Sequence, residues 1–114
     1  KPEATLYESK MQDARELITL QVAQERKLLG ESRERLDSSE ANLEAAEENL
    51  RMATVGFDAG VVTTDTVLAA QAAWLQAHSE CIDAGTELQL AAARLRRSEG
   101  DIAPERHHRN NQRN

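Results

Sequence analysis

The sequence predicts an all-α fold, a long antiparallel coiled-coil helical hairpin. Three observations lead to it: a helix-forming composition, apolar residues recurring every seven positions, and a single short break in the helical pattern. Of 114 residues, 39% are hydrophobic, yet the aromatics are only Tyr7, Phe57 and Trp74. Five Gly and two Pro offer little turn chemistry for a many-stranded sheet. Ala, Leu, Glu, Gln and Arg dominate, and these side chains lose least freedom on entering a helix.

The first helix is expected from about Glu3 to Phe57, with Gly30 and Gly56 as its weak points. A glycine inside a helix costs about 1 kcal/mol against Ala, which strong helix formers on both sides absorb. The break is Asp58-Ala59-Gly60-Val61-Val62-Thr63. Gly60 suits the left-handed conformation just past a helix end. Thr63 or Thr64 suits the cap of the second helix, and Asp65 then faces the positive end of its dipole. That helix is expected from about Thr64 to Glu99. Arg94, Arg96 and Arg97 fit its negative end, Gly100 is the expected stop and Pro104 follows. The hairpin thus occupies residues 1–100. Residues 101–114, DIAPERHHRNNQRN, read as a disordered polar tail.

The spacing of apolar residues sets the pairing. Val22, Leu29, Leu36, Leu43, Leu50 and Phe57 form a seven-residue ladder, with Ser32, Ser39, Ala46 and Ala53 beside it. In the second helix Val67, Trp74, Cys81, Leu88 and Leu95 form the large ladder. Ala70, Ala77, Ala84, Ala91 and Ser98 form the small one. A strict seven-residue repeat keeps one seam toward a partner helix. One large and one small ladder on each helix let the two approach closely. A six-residue break permits only antiparallel neighbours. Folding at Gly60 then sets Leu50 near Ala70, Leu43 near Ala77 and Glu99 near Val22.

Two features exceed a simple hairpin. Leu68, Leu75 and Ile82 form a third ladder, so the second helix is apolar over more arc than one partner covers. The first helix is also longer, about 82 Å against about 54 Å at 1.5 Å per residue. The segment from Leu6 to Leu20, with Met11, Leu17 and Ile18, therefore has no partner within this chain. Both features imply that further helices pack on the hairpin.

Several functions are set aside. Twenty acidic against 14 basic residues, a net charge of -6, give no electrostatic footprint for nucleic acid. No apolar run reaches the roughly 20 residues that span a bilayer as a helix. The chain does not begin with Met and reads as a mature or excised segment. Cys81 is the one cysteine, so no intrachain disulfide forms. No phosphate loop, HExxH, CxxC or GxSxG is present, so no catalytic, metal or cofactor site is expected. His78 and Cys81 are two ligands at helical spacing and do not close a metal site. His107-His108 reads as solvated tail and Trp74 as packing. Glu44, Glu47 and Glu48 read as a solvated helix face. Val61 and Val62 leave two alternatives open. Either they pack inward and close the hairpin end, or they face outward as a docking surface.

The stretch AEENLRMATVGFDAGVVTTDTVLAAQAAWLQA resembles the helical hairpin of the TolC family of outer membrane efflux proteins. The resemblance rests on Ala46, Asn49, Leu50, Phe57, Gly60, Val67, Leu68, Ala70 and Gln71. The upstream DARELITLQV is similar to the lead-in helix of the family's C-terminal repeat, and the likeness covers about residues 10–100. The family usually carries an acid just before the Val-Leu pair. Here Thr66 stands there, and Asp65 precedes it.

The resemblance implies a periplasmic portion of a bacterial outer membrane protein, with no enzymatic role and no cofactor. Family members are trimers in which an outer membrane β-barrel continues as an α-helical barrel across the periplasm. Membrane contact would come only through β-barrel parts outside this chain. The turn, Gly60, Val61, Val62, Thr63, Thr64 and Asp65, would dock a periplasmic adaptor protein and, through it, an inner membrane transporter. Two other readings share the hairpin pattern: a hairpin of a periplasmic adaptor (membrane fusion) protein, and a generic structural coiled coil. The FxxG…VL pattern of the turn favours the duct.

Overall fold

The computed structural model of the protein describes residues 2–102. The remainder of the expected tail, with His107 and His108, lies outside the described residues. The fold is all-α, a helical hairpin built from α1 (Pro2–Asp58) and α2 (Thr64–Ile102). Residues 59–63 link them. α2 does not stop at Glu99 but runs through Gly100 and Asp101 to Ile102. Gly100 takes no positive φ, and one glycine costs a helix only about 1 kcal/mol. Asp101 and Ile102 are thus helix rather than tail.

The described residues divide into two compact units, one of residues 31–89 and one of residues 2–30 with 90–102. In the unit 31–89, the later part of α1 and the earlier part of α2 flank the turn. Its buried side chains are Ser39, Ala53, Ala70, Ala77 and Ala84, all small. The large seam residues Leu36, Leu43, Leu50, Val67, Trp74, Cys81 and Leu88 are half-buried. This division has a steric cause. Small side chains occupy the most enclosed line of the seam, and large ones lean out beside it. With no second layer, the large ones keep an edge toward solvent. Phe57 departs from its ladder and is 46% exposed. It is the penultimate residue of α1, and α2 begins only at Thr64. Arg35 pairs with Glu87 across this unit. Trp74 stacks on His78, with ring centroids 5.1 Å apart and planes 9° from parallel.

In the other unit, Val22, Ala91 and Ser98 are buried. Leu29, Ala92 and Leu95 are half-buried. The Ser98 hydroxyl donates to a Glu25 carboxylate oxygen, and Arg26 meets Glu99 at 3.1 Å. Glu99 therefore lies by Arg26, about one helical turn from the expected Val22. Glu25 and Ile18 are half-buried. They continue the small ladder of α1 backward at the same seven-residue step. Ile18 thus departs from its neighbours: Leu6, Tyr7, Met11, Leu17 and Leu20 are exposed.

Candidate functional site

The turn is built from the end of α1 outward. Gly60 has φ of 73°, a conformation that glycine adopts without a Cβ penalty. The Gly60 N–H donates to the Phe57 carbonyl at 3.0 Å, and the Val61 N–H donates to the Gly56 carbonyl at 2.8 Å. This crossed pair is a Schellman motif, which satisfies the last carbonyls of a helix. The Ala59 N–H closes the final α-turn on Val55 at 3.0 Å. The Val62 N–H also reaches the Gly56 carbonyl, at 3.3 Å.

The two valines then part company. Val61 is 78% exposed. Val62 is half-buried and lies over Gly56. A Cβ placed on Gly56 would stand 3.2 Å from both Val62 methyls. The two sequence alternatives for this dipeptide are thus divided between its residues, one closing the end and one facing solvent. The split was not legible in the text, because the two side chains are chemically identical. The available signal was Gly56, four residues before Gly60 in a helix otherwise rich in strong formers.

The start of α2 completes the turn. Thr63 precedes the first helical residue and takes the cap position. Its carbonyl accepts the Thr66 N–H at 3.1 Å, and its hydroxyl lies 3.3 Å from that of Thr66. Thr66 therefore occupies the third helical position, where a capping box carries Glu or Gln. Here the two side chains instead meet hydroxyl to hydroxyl. Gly60, Thr63, Thr64 and Asp65 are exposed. Asp65 sits in the first turn of α2, where the helix dipole favours an anion.

The same end of α1 shows further apolar surface at Met52 and Val55. On the same stretch Arg51 clasps Glu48 through two contacts, 3.0 and 2.6 Å. That hydrogen bond, with the charge of Arg51, holds the Glu48 carboxyl below the usual carboxylate range. Both groups are solvated, so the pair adds little to stability.

The third ladder is more than half exposed throughout. Leu68, Leu75 and Ile82 are 55%, 58% and 56% exposed. No three His, Cys, Asp or Glu side chains among the described residues gather to hold a metal ion. No helix among them is long and apolar enough to cross a membrane.

No curated protein and no solved structure matches the chain significantly. The family model described as outer membrane efflux protein matches residues 3–101. That span takes in the whole turn and all but one end residue of each helix, so the chain belongs to the outer membrane efflux protein family.

Proposed function

We propose that the chain forms a periplasmic α-helical section of an outer membrane export duct. Its turn docks a periplasmic adaptor protein, which links the duct to an inner membrane transporter. Family membership supports an efflux-protein segment as such. The observation that carries the docking role is Val61, an aliphatic side chain 78% exposed at the turn. Nothing about closing the hairpin requires it, because Val62 already fills the space over Gly56. The exposed third ladder supports the neighbouring helices of a trimeric barrel, since such a face gains from being covered.

Magnitudes favour a docking role shared among several turns. Burying one valine contributes about 1.5–3 kcal/mol, too little for a stable complex alone. A trimer presents several turns at once, and linked weak contacts multiply into useful avidity. Val61→Asp would desolvate an unpaired charge at every turn on docking. Val61 is largely exposed, so the helices and the trimer should persist. The expected outcome is loss of export with trimer abundance and helix content unchanged. The assay is substrate export by the full-length protein in cells lacking their native duct, with trimer measured alongside. Normal export by Val61→Asp would sink the docking role. Loss of export only through loss of the trimer would sink it equally.

A further inference from the structure

We propose that Gly56 is the positioning residue of the turn: its bare backbone seats Val62 and thereby delivers Val61 to the partner. The inference rests on the docking role of Val61 and adds the device that presents it. Two independent observations meet at Gly56. Its carbonyl accepts both valine N–H groups, Val61 at 2.8 Å and Val62 at 3.3 Å. Its missing side chain leaves the space that both Val62 methyls approach. One residue thus holds the two valines by their backbone and sorts them by their side chains.

Glycine is otherwise a poor choice here. Gly56 lies within α1 and has no positive φ, so its own backbone does not require glycine. Alanine is the better helix former. The other helical glycines, Gly30, Gly85 and Gly100, would each accept a Cβ with nothing within 4 Å. Only at Gly56 does a Cβ meet a neighbour, and that neighbour belongs to the turn. A separation of 3.2 Å is tight, so Val62 must give by a few tenths of an ångström. The 3.3 Å bond from its N–H is the weakest of the turn's backbone bonds and yields first. Val61 is the preceding residue and bonds the same carbonyl, so its direction changes with that of Val62.

The test uses the full-length protein in cell envelopes. Export is one readout. The other is the thiol-labelling rate of Val61→Cys in a Cys81→Ala background. Gly56→Ala should lower export at least tenfold and change the labelling rate severalfold, with trimer abundance retained. Gly56→Ala combined with Val62→Ala empties the contested space, and should restore both readouts to within about twofold of the parent. Gly30→Ala is the control and should match the parent. Unchanged labelling in Gly56→Ala overturns the positioning role. Failure of Val62→Ala to rescue overturns it too, because a merely helical effect of Gly56→Ala would not depend on the side chain at position 62. Altered labelling with normal export leaves the positioning intact and overturns the docking role beneath it.

Discussion

At the residue scale, the turn depends on backbone angle at one position and on space at another, and the two are separable. Gly60 has φ of 73°, yet a Cβ there would meet nothing within 4 Å. The cost of adding a Cβ there is therefore conformational and not a clash. Left-handed backbone costs ordinary residues about 1–3 kcal/mol, and Asn tolerates it better than most. Gly60→Asn should destabilise least, Gly60→Ala more, and Gly60→Val most, by about 1–3 kcal/mol. Urea unfolding followed by helical circular dichroism reads the order. Equal costs for Asn and Val would show that the positive φ is not what the turn needs. Gly60 was readable from its place after a long helical stretch and before a threonine pair. Gly56 was not, because its role depends on which of two identical valines turns inward. Thr66 was legible only as a departure from the family pattern. The structure gives it a local job, since its hydroxyl answers that of Thr63 at the cap.

At the element scale, the seven-residue spacing distinguishes what α2 buries, whereas in α1 Val22 of the larger ladder is buried and Ser32 and Ala46 of the smaller one are half-buried. Ala70, Ala77, Ala84, Ala91 and Ser98 are all buried in α2, and the larger ladder beside them is half-buried. Periodicity carries this because residues seven apart return to nearly the same side of a helix. The ladder is less legible where its chemistry changes. Glu25 looks like an interruption, and only the opposing Ser98 hydroxyl explains a carboxylate at a seam position. The pairs Arg35–Glu87 and Arg26–Glu99 lie beside the seam, in the flanking positions where coiled coils place interhelical charges. They were findable from the heptad. The end of α2 was misplaced because three arginines and a glycine look like a stop. A glycine caps a helix through the left-handed motif when it takes a positive φ, and Gly100 does not. The seam itself can be probed through Ala84, which is 2% exposed. Ala84→Leu adds volume where none is free and should cost about 1–3 kcal/mol. Ala73 is exposed on the same helix, and Ala73→Leu should stay within about 0.5 kcal/mol. Unfolding midpoints of the two variants compare them directly. Similar costs would mean that the small ladder is not the tightly packed line of the seam.

At the scale of the whole molecule, what matters is how much apolar surface stays wet. Among the described residues, the buried side chains are Val22, five alanines and two serines. Nothing larger than valine is enclosed. Meanwhile Leu68, Leu75 and Ile82 remain more than half exposed, as do Leu6, Tyr7, Leu17 and Leu20 on α1. Covering the exposed part of the three α2 residues contributes about 1 kcal/mol each, or roughly 3 kcal/mol together. Association costs about 4–15 kcal/mol in lost translation and rotation. The α2 face alone is therefore insufficient, and the α1 residues must be covered as well. The 114-residue chain by itself should then self-associate at micromolar concentration, or lose helix on dilution. Leu75→Lys removes one apolar contact and sets a charge in the covered face. It should weaken association at least tenfold, the equivalent of about 1.4 kcal/mol. Sedimentation equilibrium across a concentration series, with circular dichroism on the same samples, reads both quantities. A fully helical monomer throughout the micromolar range would show that the exposed faces need no partner. Unchanged association of Leu75→Lys would show that the contact lies on another face, and would remove the third ladder as support for a barrel.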